Sequence, residues 1–252
     1  MSAQAAEGCS IAQGLSQDVD KFAEEAAVCL KGAPGIVPRN GVASELARLT
    51  DVARTGAGRD GLEELDSLNE AALIHAMDMA ARGYAAHLDP EGRSHVDRVR
   101  LLDRTSLFGA FGANVTIVPA NASPKDIELA ILQDPSNADN VLRRQFNKVG
   151  VGAAEKDGKL YIVQIFAEQV GQLSKPLPAR LKNDQVVKVR FADPELQRVG
   201  WTVTGSDGAA LATGRSLRLS GLPQTEAVGY LTVDARAGGG VSTLKGPAFM
   251  VD

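Results

Sequence analysis

Histidine is scarce in this 252-residue chain, with His75, His87 and His95 as its only three. So few imidazoles leave little room for histidine-rich metal sites or histidine-based triads. Cysteine is scarcer still: Cys9 and Cys29 are the only two, and both lie near the start of the chain. An excess of basic charge is missing, since 27 Lys and Arg stand against 31 Asp and Glu for a net charge of -4. A protein that neutralises phosphate backbones needs a basic face, so nucleic acid is excluded as the main partner. No run of about 18 apolar residues occurs, which excludes a membrane-spanning helix. What is present is ordinary for a globular protein: 44% hydrophobic and 23% charged residues. That much apolar surface offsets chain entropy over most of the length. The length fits one large domain or two modest ones.

The two cysteines have two readings. One is a pair of reduced thiols, with Cys29 packed on a helix as a small apolar residue. The other is a Cys9–Cys29 disulfide in an oxidising compartment, preferred because the rest of the chain avoids cysteine. Ala3-Gln4-Ala5 resembles the small-x-small end of a secretory leader, which points to a mature exported chain, periplasmic or secreted. Glu7 fits poorly in a lipobox, so Cys9 is not read as a lipid anchor.

Hydrophobic spacing organises the remainder. Val19, Phe22, Ala26 and Cys29 recur at helical intervals and predict a helix over residues 16–31. Leu46 and Leu49 mark a second over 41–54, and a third is expected over 67–84. Ser67 and Glu70 there have the spacing of a capping box, and alanines along the helix permit close approach of another layer. Phe108–Gly112 reads as a glycine-punctuated turn, and Ser123-Pro124 starts a further helix. Two strands, 149–155 and 159–167, flank the hairpin signal Lys156-Asp157-Gly158. Both strand faces are apolar enough to need cover, which places helices on each side of the sheet. Residues 172–179, with Pro176 and Pro178, read as a linker. Beyond them helical period is absent and short strand candidates recur, as in a small β-sandwich of immunoglobulin or fibronectin type with Trp201 in its core.

Residues 68–167 carry five motifs in series. They are Leu68-Asn69-Glu70 with the helix running on to Tyr84 and His87; Gly112-Ala113-Asn114-Val115; Ser123-Pro124 and its helix; Asp134-Pro135-Ser136-Asn137; and Phe146-Asn147-Lys148-Val149-Gly150, leading into Tyr161-Ile162-Val163. In this order they resemble the CAP superfamily (cysteine-rich secretory, antigen 5, pathogenesis-related) in its bacterial form. The resemblance implies an α-β-α sandwich, assigned to 61–171; with the N-terminal helical extension (1–60) and the all-β domain (180–252) read from hydrophobic spacing, the fold class expected is α+β. It also implies a cleft in which many members hold a divalent metal on two histidines and acidic residues. His87 matches the first histidine, Asn137 stands where the second is expected, Ala113 replaces a glutamate, and Asp134 is a loose match to a second acid.

This substitution pattern has a chemical consequence. Zinc wants three or four N, S or O ligands, and neither alanine nor a non-titrating asparagine supplies the metal or proton chemistry of the residues it replaces. The cleft of His87, Ala113, Asn114, Asp134 and Asn137 is therefore read as a degenerate site for ligand contact, without catalytic residues, metal or cofactor. The cluster His87, Asp89, Glu91 and His95 is read as a solvated loop in preference to a metal site. Gly150-Val151-Gly152 runs into a strand, so it is a poor phosphate fingerprint. The function expected is an exported cell-envelope binding or scaffold protein whose partner is an envelope protein or glycan. The alternatives are a metal-dependent hydrolase using the same cleft, and a protein that binds a lipid ligand.

Overall fold

A computed structural model describes residues 8–181, 184–223, 227–238 and 240–251. The tripeptide Ala3-Gln4-Ala5 and Glu7 lie outside the described residues. The chain divides into two units. The first gathers residues 8–16, 22–95 and 112–166, and the second gathers 17–21, 96–111 and the remainder from 167 onward.

The helices are α1 Val19–Cys29, α2 Asn40–Gly56, α3 Asp66–Arg82, α4 His95–Leu102, α5 Pro124–Gln133 and α6 Pro135–Leu142. α3 starts one residue before Ser67, with Leu65 at its N-cap and no side-chain cap bond, so the expected capping box does not form. It ends on Gly83, whose left-handed φ of 72° is the usual terminator. α5 starts as expected: Ser123 caps it by accepting from the backbone N–H of Asp126, and Pro124 sits in the first turn.

Three long strands follow in chain order: β1 Ser106–Pro119, β2 Lys148–Lys156 and β3 Lys159–Leu173. Within the first unit the sheet order is Val37–Pro38, β2, β3, β1, with Glu63–Glu64 running parallel to β2. The β2–β3 turn holds Asp157 at φ 51° and Gly158 at φ 73°, the two positive angles that a tight hairpin of this kind requires. Residues 149–154 of β2 and 160–167 of β3 are continuously buried, as expected of a sheet covered on both faces. α3 lies against β2 at very short range. A Cβ on Gly152 would sit 2.1 Å from Leu73 N, and one on Gly150 2.2 Å from the Leu68 carbonyl carbon. These glycines, with buried Ala71 and Ala72 on the helix, are what permits that approach. Phe108–Gly112, expected as a turn, lies inside β1. The glycines there serve packing: a Cβ on Gly112 would meet Asn140 Oδ1 at 2.6 Å and the Phe146 ring at 3.0 Å.

The disulfide between Cys9 and Cys29 is formed, with a Cα–Cα distance of 4.6 Å.

The second unit is dominated by an all-β region. To the strands above it adds β4 Val189–Phe191, β5 Gln197–Thr204, β6 Ala210–Gly214, β7 Ala227–Ala237 and β8 Gly240–Val251. β8, β7, β5 and β6 follow one another in the sheet, and the residues 106–111 of β1 meet β8 through Phe108 opposite Lys245. β4 pairs with β3 from Gly171 to Leu173, so strand structure runs into the segment expected as a linker. Trp201 is in the core, 3% exposed, with Leu231, Val233 and Leu244. Its indole Nε1 donates to Ser216 O. Two arginines carried by α4 and the turn after it serve this unit, Arg100 buried and Arg104 half-buried. Arg100 donates to the carbonyls of Gly246 and Leu231, and Arg104 to those of Leu177, Pro178 and Ala248. Burial pushes the pKa of each down to about 10, still far above neutrality, so both remain charged and serve as multivalent donors to backbone.

Candidate functional site

Asn114 is the hub of a buried polar chain in the first unit. It is 2% exposed on β1. Its Nδ2 donates to the backbone carbonyl of Asn137 at 3.3 Å and to Gln164 Oε1 at 3.0 Å, and its Oδ1 accepts from Asn140 Nδ2 at 3.0 Å. Asn140 also donates to Ala113 O at 3.1 Å. Gln164 passes the chain inward, its Nε2 donating to Thr50 Oγ1 at 2.9 Å. The Thr50 hydroxyl donates in turn to the Glu128 carboxylate, 3.1 Å from one oxygen and 3.3 Å from the other. Thr50, Gln164 and Glu128 are all buried. Buried amides and hydroxyls hold their positions only when paired, and each member here is paired with the next.

Glu128 is the titrating end of this chain. Burial pushes its pKa up to about 7, against the lowering effect of the Thr50 and Gln164 hydrogen bonds. α5 is amphipathic, with Ile127 and Ile131 buried, and Glu128 lies beside that stripe. Sequence reasoning passed over Glu128, Thr50, Gln164 and Asn140. The available signal was a carboxylate adjacent to the apolar stripe of a short helix.

The expected cleft residues separate into groups. Ala113, Asn114 and Asn137 come together: Asn140 bonds Ala113 O and Asn114, and Asn114 bonds Asn137 O. Asp134 is the N-cap of α6: its Oδ1 accepts from the backbone N–H groups of Ser136 and Asn137 and from the Ser136 hydroxyl. The Ser136 hydroxyl and the Asn137 N–H hold its pKa below the usual carboxylate value, so it is an anion committed to a helix end. His87 is exposed in the loop after α3, with its ring 6.4 Å from that of His95. Among the described residues no hydrogen bond or ion pair joins it to Asn114, Asp134 or Asn137.

That loop is anchored by arginines. Arg82 holds Asp78 at 2.7 Å and Glu91 at 2.6 Å, and Tyr84 donates its hydroxyl to Asp78 at 2.5 Å. Arg93 lies over the Phe22 ring and bonds the carbonyls of Leu15 and Ser16, with Asp89 3.5 Å away. Asp89 and Glu91 are thus engaged by guanidinium groups. Among the described residues no group of three or more His, Cys, Asp and Glu has the arrangement to hold a metal ion. His75, on α3, is fully buried with its ring 6.3 Å from Tyr84.

Residues 47–166 match the model of the CAP family, the cysteine-rich secretory protein family. Two solved structures are similar to the chain. An outer surface protein from Borrelia burgdorferi is 16% identical with a TM-score of 0.48, over 53% of this chain and 97% of that one. An extracellular protein containing an SCP domain from Bacillus anthracis is 23% identical with a TM-score of 0.44, over 52% of this chain and 41% of that one. No curated protein matches the sequence.

Proposed function

We propose that the protein is an exported cell-envelope binding or scaffold protein whose CAP domain is non-catalytic and whose partner is an envelope protein or glycan. The reading is carried by the side-chain chemistry around Asn114. Ala113 supplies no metal ligand, Asn137 has no titrating group, and Asn114, Asn140 and Gln164 satisfy one another. A group saturated by its neighbours has nothing left to activate water or polarise a bond. Export is supported by the Cys9–Cys29 disulfide, since such bonds persist in oxidising compartments. Isothermal titration with zinc tests the site. Micromolar or weaker binding that is unchanged in His87→Ala is expected; submicromolar binding lost in that variant overturns the reading.

One observation favours a second reading, a hydrolase using the same domain. Glu128 titrates near neutrality, where general acids and bases work. Its carboxylate is 5% exposed and bonded by Thr50, which places it behind the amides and away from solvent. A cell-wall hydrolysis assay comparing the wild type with Glu128→Gln separates the two: turnover abolished by that change supports the hydrolase.

A further inference from the structure

The outward face of the all-β sheet carries a groove of about 480 Å³, within the range of roughly 300–1,000 Å³ usual for small-ligand sites. Strand register builds it. Gly200 stands opposite Asp234, and Thr202 is flanked by Thr213 on one side and Thr232 on the other. These positions alternate with Trp201 and Val203, whose side chains are buried on the other face. With no side chain on Gly200 the floor is bare backbone; a Cβ there would lie 3.3 Å from Gly214 O and 3.4 Å from Asp234 Oδ2. Asp234 Oδ1 is fixed by the Thr243 hydroxyl at 2.9 Å, which leaves the carboxylate held in place with Oδ2 turned over the glycine.

The walls are charged and hydroxylic. Arg215 and Arg236 line the groove with Thr202, Thr213 and Asp234. Arg198, outside the lining, donates through Nη2 to Arg215 O and so holds the backbone of that wall. Two lining guanidinium groups against one carboxylate give the groove a positive balance. A peptide partner would seek deep aromatic or aliphatic anchor pockets, whereas the apolar lining is limited to Val199 and Val241, and the indole of Trp201 is buried beneath the strands. Fixed carboxylate, threonine hydroxyls and forked guanidinium donors instead match a ligand rich in hydroxyls and carrying carboxylates.

We propose that this groove binds an acidic oligosaccharide. Asp234 accepts from sugar hydroxyls across the Gly200 floor, and Arg215 and Arg236 engage the saccharide's carboxylates. The site shares no residue with the Asn114 chain, so the reading of the CAP domain and this one fail separately.

Isothermal titration of the full chain with tetragalacturonate as probe and maltotetraose as neutral control tests the proposal. Tetragalacturonate is expected to bind at least tenfold more tightly than maltotetraose, and to lose at least tenfold in Arg236→Ala and in Arg215→Ala. Both side chains are exposed, and neither change removes an internal bond. Asp234→Ala decides between recognition and simple charge attraction. Removing a carboxylate from a merely basic patch strengthens polyanion binding, whereas the proposed contact predicts weakening. Absence of binding, equal affinity for the two saccharides, or tighter binding by Asp234→Ala overturns the proposal.

Discussion

Glu128→Gln is expected to flatten the pH dependence of stability between about pH 4.5 and 7. The carboxyl has an ordinary value of 4.5 when the chain is unfolded and is pushed up to about 7 by burial in the folded state. Between these values the folded protein holds the proton more firmly than the unfolded chain does. Stability from this group is therefore fully present below pH 4.5 and is lost as pH rises through 7. At about 1.4 kcal/mol per unit, the loss by pH 8 is on the order of 3 kcal/mol. Glutamine is neutral like the protonated acid: its oxygen accepts from Thr50, and its NH2, with two donors, takes the place of the acid O–H.

The measurement is differential scanning calorimetry of wild type and variant from pH 4.5 to 8. Other carboxylates shifted by burial, such as Glu70 and Glu168, titrate in both proteins and cancel in the difference. The two midpoints should nearly coincide at pH 4.5. By pH 8 the variant should melt higher by roughly 6–12 °C, at about 2–4 °C per kcal/mol for a chain of this size. A difference that stays constant across the range, or that widens toward acid pH, refutes the argument that Glu128 is buried as a neutral acid.

Other perturbations test the packing. Replacing Cys9 and Cys29 together by alanine opens a loop of 20 residues' separation and should cost about 3 kcal/mol in urea denaturation under non-reducing conditions. Gly152→Ala forces a methyl onto the backbone of α3 and is expected to destabilise by about 1–3 kcal/mol or more, read as loss of helical circular dichroism at lower urea. Arg54→Met strands the carbonyls of Asp60, Val141, Arg143 and Phe146, all bonded by the buried guanidinium, and should cost at least about 3 kcal/mol by the same titration.

Much of the fold was legible because its signals are local. The apolar stripe of α1, the Pro-at-first-position start of α5 and the Asp157-Gly158 turn each depend on residues within a few positions of one another. Phe108–Gly112 misled for the same reason. Glycine next to phenylalanine looks like a turn when only neighbours count, and nothing nearby reveals that Gly112 must clear Asn140 and Phe146. The β2 glycines are the converse case. Read alone they suggest a fragment of a phosphate loop, and only the arrival of α3 shows that they are there to admit a helix backbone.

The site divides along the same line. That Ala113 offers no ligand and Asn137 no titrating group follows from their side chains and needs no coordinates. Which polar groups converge on Asn114 depends on contacts across gaps such as Gln164 to Thr50 and Thr50 to Glu128, between a strand and two helices far apart in sequence. A carboxylate on a helix beside an apolar stripe reads as a surface residue until those partners are in place. The same burial that hides Glu128 from sequence reasoning pushes its pKa to near neutrality. Glu128 stands at one end of the chain that runs through Thr50 and Gln164 to Asn114, so the packing that buries the acid is the packing that pairs those amides.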